Sequence, residues 1–317
     1  MRIKSVSLNI FLFFISIFVG ILMCELLARK IGLGDPILYN KDSIVGYRLQ
    51  ANQSKVRRRG SMVTSDYEGF RIDHSKEEKP YSKYIVFVGD SVTYGGSYID
   101  NKDLFTSIYC DLLASNFHCL NNGINSWGVL NMGRFISNFE IYSKRIPEKF
   151  ILVILPGDEA RNLRSFDNTP YWDFPPKQPS AINEIIRYLN TNYFLPRIKN
   201  IPKEYKKTYD AKKINIQRKI VWKELKNKLN ESKYNVDIVV TPPLKWFSDK
   251  SEQEIIKIYR DLLENISELD NVKNTCNLYD FINPYYDKNL YEDGVHLSKK
   301  GHEVWSKSLF LCLNHKN

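Results

Sequence analysis

The sequence predicts an α/β protein: a parallel β-sheet covered on both faces by helices, behind a single N-terminal transmembrane helix. Three observations predict it. An apolar run, "VSLNIFLFFISIFVGILMC" (6–24), opens the chain. Short β-branched and aromatic runs such as "KYIVFVGD" (83–90) and "KFILVILPGD" (149–158) recur after it. Segments with apolar residues at helical spacing stand between those runs. Strands that alternate with helices pair in parallel and are buried on both faces.

The N-terminal run is long enough to span a bilayer, since about 20 helical residues at ~1.5 Å each cross the ~30 Å hydrocarbon layer. Arg2 and Lys4 ahead of it favour a cytoplasmic N-terminus and place the rest outside, against the weaker pull of Arg29 and Lys30 beyond it. No A-x-A-like cleavage site follows the apolar core. Met23 is a poor residue to precede a lipidated Cys24. Residues 1–30 are therefore expected to be an anchor, with 6–28 in the lipid bilayer. Residues 31–82 show no sustained period, end in "EGFRIDHSKEEKPYSK", and read as a polar linker and N-terminal extension.

From residue 83 to 317 the elements follow in order. "KYIVFVGD" is a buried strand, "DLFTSIYCDLLASN" (103–116) a helix and "FHCLNNG" (117–123) a strand. "VLNMGRFISNFEIYSKR" (129–145) is a helix, and "KFILVILPGD" a second strongly apolar strand. "YNVDIVVTPP" (234–243) is a strand stopped by two prolines. "EQEIIKIYRDLLENISEL" (252–269) is a helix, "TCNLYDF" (275–281) the last strand and "SKKGHEVWSKSLFLCL" (298–313) the closing helix. Residues 165–232 break the alternation and are too long for a plain connection. They read as an insertion beside the active edge, or as a solvated excursion. Its aromatics Tyr171, Trp172 and Phe174 suit stacking on sugar rings, or packing within the insertion itself.

The 317 residues are 43% hydrophobic and 26% charged, an ordinary globular balance that argues against disorder. The net charge of +10 is concentrated near the N-terminus, in "KVRRR" (55–59), and between Lys199 and Lys226. No zinc-ligand spacing or RNA-binding aromatic motif accompanies it, so no nucleic-acid partner is expected. An anionic glycan or a membrane surface fits the charge better. Beyond Cys24, the cysteines Cys110, Cys119, Cys276 and Cys312 allow three pairings, of which Cys110–Cys119 with Cys276–Cys312 is one. Free buried thiols are equally open. The sequons "NQS" (52–54), "NES" (230–232) and "NIS" (265–267) carry no argument, and there is no phosphate-loop motif.

The chemistry centres on "VFVGDSVTYGG" (86–96), where an apolar run stops at Gly89 and Asp90 and Ser91 follow. Ligands of parallel α/β sheets bind beyond the carboxyl ends of the strands. Ser91 and Asp158 both lie there. A serine needs a neighbouring base to become a nucleophile. Among His74, His118, His296, His302 and His315, His296 stands out in "YEDGVHLSKKGH" (291–302), three residues after Asp293. A tight turn there lets the carboxylate hold one imidazole nitrogen while the other faces Ser91. Read alone, Asp293 is also a good turn residue and His296 a good residue to precede a helix. Asp90 is expected to brace the turn, and Gly95-Gly96 to allow close packing behind it.

"GDSVTYGG" and "DGVHLSKKGH" together resemble the first and last blocks of the SGNH, or GDSL, hydrolase family. "VGYRLQAN" (45–52) and "SDYEGFR" (65–71) are similar to segments of membrane-anchored bacterial members associated with surface polysaccharides. The resemblance covers roughly 45–160 and 234–313. It implies a three-layer α/β/α sandwich with a flavodoxin-like parallel sheet. It also implies Ser91 as nucleophile, His296 as general base and acid, and Asp293 orienting His296. The family's oxyanion hole would map onto Ser91, Ser126 in "NNGINSWG" (121–128), and Asp158 in "LPGDEARN" (155–162). Ser126 stands where the family has a glycine, with Gly123 or Gly128 as substitutes if the turn is shifted. Asp158 stands where the family has asparagine. It would donate only if kept protonated, and Asn162 or a residue of the insertion is an alternative.

The expectation is a serine-dependent carbohydrate esterase or O-acyltransferase working through an acyl-serine, with no metal or cofactor. Its partner would be an acylated carbohydrate or another ester. Its place would be the bacterial cytoplasmic membrane, with the catalytic part on the periplasmic or extracellular side. A lysophospholipase-like lipid esterase is a further enzyme reading. The alternative from another class is an inactive protein of this fold that binds glycan or assists polysaccharide assembly.

Overall fold

The computed structural model describes residues 2–75, 83–165, 180–190, 211–264, 266 and 269–314. Helix α1 (Arg2–Lys30) contains Leu8–Lys30, 23 residues long and apolar enough to cross a membrane, a measure that a signal sequence also meets. Two antiparallel hairpins follow, β1 (Tyr39–Asp42) with β2 (Gly46–Leu49), then β3 (Ser54–Val56) with β4 (Met62–Thr64). The α/β part begins with β5 (Lys83–Gly89), α2 (Ser91–Tyr94), α3 (Phe105–Asp111) and β6 (Phe117–Gly123). It continues through α4 (Val129–Ser137), α5 (Phe139–Tyr142), β7 (Pro147–Ile154), α6 (Ala181–Leu189), α7 (Ala211–Glu231) and β8 (Val236–Val240). It closes with α8 (Lys245–Asp249), α9 (Glu252–Leu263), β9 (Val272–Asn277), α10 (Leu278–Ile282) and α11 (Lys299–Asn314).

The five strands β5 to β9 pair in parallel in the spatial order β6-β5-β7-β8-β9. This is the flavodoxin-like order, and its switch point lies between β5 and β7. Alternation along the strands sorts the core into two layers. Val86, Val88, Phe150, Leu152, Ile154, Val236, Ile238 and Val240 face one cluster, which includes Phe135 of α4, Leu225 of α7 and Ile255 of α9. Ile85, Phe87, Ile151, Val153 and Val239 face the other, with Tyr109 of α3 and Trp305 of α11. The sheet is therefore the middle of three layers.

Where sequence and structure differ, a local cause is visible. Residues 31–75, expected as part of a polar linker and N-terminal extension, pack against the sheet domain. Val45, Tyr47, Leu49, Val63 and Phe70 enter the first core cluster, and only 76–82 of the expected linker lie outside the described residues. Asp66 receives N–H bonds from Glu68 and Phe70, and with Glu68 it holds the buried Arg145 at 2.6 Å. Strands of three or four residues are too short to show a period, so this packing left no pattern to read.

The expected insertion also changes character. α7 is a packed crossover helix, with Val221, Trp222, Leu225 and Leu229 buried. α6 is tied to the end of α1, because Glu25 accepts from the N–H groups of Ala181 and Ile182. Tyr171, Trp172, Phe174 and His315 lie outside the described residues. The helix expected over 129–145 breaks at Asn138, whose side chain bonds the Arg134 carbonyl at 2.8 Å and competes with the helical ladder. The last strand ends at Asn277, and the buried pair Leu278 and Ile282, four apart, turns into α10 instead.

The structure pairs Cys110 with Cys119 and Cys276 with Cys312, and leaves Cys24 free and exposed. His302 is fully buried, stacked on Phe105, and its Nδ1 accepts from the Phe105 N–H at 3.0 Å. Burial, with the nearby Arg71, pushes its pKa down from 6.5 to about 3. Below pH 6.5 the unfolded chain takes up a proton that the folded chain refuses, so stability falls as pH drops from about 6.5 toward 3, by up to ~1.4 kcal/mol per pH unit. Denaturant titrations of wild type and His302→Gln across this range should show the variant losing up to one proton's worth of slope.

Candidate active site

β5 ends where the Ile124 N–H donates to the Gly89 carbonyl at 3.0 Å, tying the loop after β6 to the tip of β5. Asp90, buried at the turn, accepts from the Val92 N–H at 2.8 Å and caps α2. This braces the turn, as the sequence suggested. A helix of four residues cannot hold itself in water, so its neighbours fix it. Gly123 at the end of β6 is one: a Cβ there would stand 2.0 Å from the Tyr94 nitrogen, so only glycine lets β6 lie against α2. Arg71 is another. Its Nη1 donates to the Tyr94 and Gly96 carbonyls at 2.7 and 2.6 Å, its Nη2 to the Ile99 carbonyl and its Nε to Asn101 Oδ1 at 2.7 Å.

Ser91 opens α2, and its Oγ lies 2.8 Å from His296 Nε2. His296 Nδ1 lies 2.7 Å from Asp293 Oδ2. The loop that carries both residues is closed by an antiparallel bridge between Tyr291 and Leu297 and tied across by the Leu244 N–H to the Gly294 carbonyl. Asp293 Oδ1 accepts from the N–H groups of Val295 and His296 at 2.8 and 2.9 Å. Partial burial raises the Asp293 pKa, but the His296 N–H, its imidazole and the Val295 N–H outweigh it, so the carboxyl lies below its ordinary value. An ionised Asp293 makes Nδ1–H the donor. Nε2 then carries the lone pair that accepts the Ser91 hydroxyl.

A corner beside Asp90 is built from the loops after β6 and β7. Ser126 has φ 65, the left-handed conformation that suits glycine. Its loop is held because Tyr47 Oη donates to the Asn125 carbonyl at 2.6 Å and Asn125 Nδ2 donates to Tyr39 Oη at 3.0 Å. The alternative glycines are engaged: the Gly123 N–H donates to Asn121 Oδ1 at 2.8 Å and the Gly128 N–H to Asn131 Oδ1 at 3.2 Å. The N–H groups of Ser91 and Ser126 have no acceptor among the described residues.

Asp158 does not open onto this corner. Its side chain is fully buried, with Oδ2 accepting from the Leu155 N–H at 3.0 Å. Arg161 Nη1 stands 2.9 Å from Oδ1 as an ion pair, without the alignment of a hydrogen bond. Burial and the nearby Asp90 push the Asp158 carboxyl well above its ordinary value, and Arg161 and the Leu155 N–H pull it back. Asn162, the alternative donor, is exposed and accepts from Gln217 of α7. The sequence reading did not single out Arg161, which reaches Asp90, Trp127 and Asp158 together. The available signal was a lone arginine three residues past the asparagine position.

No family model and no curated protein matches the chain. Among solved structures, it is similar to a member of the lipolytic G-D-S-L protein family from Veillonella parvula, at 13% identity over 74% of this chain and 100% of that one, with a TM-score of 0.43. An acetylxylan esterase from Geobacillus stearothermophilus shares 12% identity over 75% and 98% of the two chains, with a TM-score of 0.45. An alpha/beta hydrolase enzyme from the metagenome of Lake Arreo, Spain, shares 14% over 73% and 96%, with a TM-score of 0.43.

Two substitutions probe this geometry. Asp293→Asn should slow fluorophosphonate labelling of Ser91 by about 10²- to 10⁴-fold, because an amide cannot hold the required tautomer. Ser126→Gly relieves the left-handed serine and keeps the N–H. It should raise stability by up to about 1 kcal/mol in denaturant titrations with labelling unchanged.

Proposed function

We propose that the chain is a serine ester hydrolase of the SGNH, or GDSL, type that removes acyl groups from carbohydrate. The observation that carries this reading is the relay at the carboxyl edge of the sheet, with Ser91 Oγ 2.8 Å from His296 Nε2 and His296 Nδ1 2.7 Å from Asp293. The unspent N–H groups of Ser91 and Ser126 support it.

In the proposed reaction Ser91 Oγ bonds to the ester carbonyl carbon, and its proton passes to His296 Nε2. The carbonyl π pair becomes a lone pair on oxygen, which the two N–H groups receive. The bond to the leaving alkoxide then breaks, and the alkoxide takes the proton from His296. Water, deprotonated by the same imidazole, resolves the acyl-serine. A sugar hydroxyl in place of that water would make the protein an O-acyltransferase. Asp293 stays ionised and holds the imidazole through both halves.

The carbohydrate substrate is supported by "VGYRLQAN" and "SDYEGFR", which resemble segments of surface-polysaccharide members, and by a net charge of +10 suited to acidic glycans. α1 serves in this reading as a single-pass anchor with the sheet outside the cytoplasm. The two cystine pairs support an oxidising compartment.

The test uses the full chain in detergent with a fluorophosphonate probe and an acetylated oligosaccharide. Mass spectrometry should place the adduct on Ser91. Ser91→Ala should abolish both labelling and acetate release, and His296→Ala should lower both by about 10³-fold or more. Folded wild type that is neither labelled nor active would leave the glycan-binding alternative. Acetyl recovered on an added sugar acceptor, rather than as free acetate, would select transfer.

A further inference from the structure

We propose that Arg161 supplies the side-chain arm of the oxyanion hole, at the corner where the family pattern uses an asparagine. This rests on the serine ester reading above. Arg161 Nη1 donates to the Trp127 carbonyl at 2.7 Å and approaches Asp90 Oδ2 at 3.2 Å. Trp127 follows Ser126, and Asp90 precedes Ser91. One nitrogen thus joins the two loops that carry the unspent N–H groups.

The close fit of these loops is built in. A Cβ on Gly128 would fall 2.8 Å from Arg161 Cβ, so the missing side chain at 128 lets Arg161 reach the second loop. Nη1 is consumed by these contacts and by Asp158 Oδ1 at 2.9 Å. The remaining N–H bonds, on Nε and Nη2, have no acceptor among the described residues. The Arg161 side chain is 26% exposed, whereas that of Asp158 is 0% exposed. Of the two side chains, that of Arg161 is the one partly open at this corner. The Asp158 carboxyl, at the position where the resembling family has asparagine, is sealed and serves as an anchor.

The chemistry suits the place. A guanidinium stays protonated at any working pH, and its fork keeps two faces of donors rigidly related. Asp90 and Asp158 hold one side, which leaves the other preorganised for charge that appears only as the ester carbonyl oxygen becomes an oxyanion. Loss of one such donor costs about 10²- to 10³-fold in kcat.

The experiment measures p-nitrophenyl acetate hydrolysis by the full chain in detergent, for wild type, Arg161→Gln and Arg161→Lys. Arg161→Lys keeps a charge for the two buried carboxylates, which guards against a glutamine variant that does not fold. Folded Arg161→Gln should lose about 10²- to 10³-fold in kcat with KM within a few-fold. Arg161→Lys should lose at least about tenfold, since one ammonium between two carboxylates has no second face to offer. Inhibition by a trifluoromethyl ketone, which forms a hemiketal oxyanion on Ser91, should weaken in step with kcat. Full kcat in either folded variant overturns the assignment. So does a defect confined to KM for a negatively charged ester such as a succinyl ester, which would make Arg161 a substrate anchor. Wild type without hydrolysis or labelling overturns the serine ester reading itself, a different result from active wild type with insensitive variants.

Discussion

The short turn that presents Ser91 depends on one buried cation. Arg71 is 1% exposed, and its acceptors are three backbone carbonyls and the Asn101 amide rather than a carboxylate. Its own backbone pairs with Asn121 of β6 in both directions, at 3.0 and 3.2 Å. The side chain thereby fastens the segment 94–101, which leaves the Ser91 helix, to the edge of the sheet. Hydrogen bonds to a charged donor contribute about 1.5–3 kcal/mol each, and a buried cation without them would cost far more than it returns. The arrangement therefore holds as a unit: if the 94–101 loop shifts, Arg71 loses its acceptors together. That places Ser91 with a rigidity that four helical residues lack.

A second layer of constraint comes from the N-terminal hairpins. Tyr47 and Tyr39 reach the Asn125 carbonyl and amide, and Asn101 donates to the Thr64 and Ile72 carbonyls. The chain ahead of the sheet thus steadies the loops on both sides of Ser91. Arg59 pairs with Glu292, the residue before Asp293, so the same region also touches the loop of His296. Within "KVRRR" it is Arg59 that reaches this loop, which gives a positional role to charge that composition alone could only count.

Much of this was legible in the chain. Four of the five sheet strands, "GDS" after the first of them and the Asp293–His296 spacing each leave a local mark, whereas the last strand overlaps its expected range only over 275–277. Long buried strands read as apolar runs, and a four-residue stretch can carry a turn, a carboxylate and an imidazole together. Short edge hairpins leave no such mark, because three or four residues span barely two alternations. α7 reads as part of an insertion because residues 165–232 break the alternation and are rich in lysine, which hides the four buried side chains Val221, Trp222, Leu225 and Leu229. Asp158 was placed by analogy of position. Its direction depends on the Leu155 N–H and on Arg161, and a motif does not encode either.

The sequence by itself determined the parallel α/β class and the apolar N-terminal helix, because those follow from periodicity, while it pointed to Ser91, Asp293 and His296 only through the resemblance of "GDSVTYGG" and "DGVHLSKKGH" to family blocks. Only the tertiary structure decided that the 2.8 Å contact between Ser91 and His296 is made, that Ser126 rather than Gly123 or Gly128 keeps its N–H unspent, and that Arg161 is partly open where Asp158 is sealed. These depend on which atoms from distant segments share a few ångströms of space. Burial and competing hydrogen bonds settle that only once the sheet has brought the loops together.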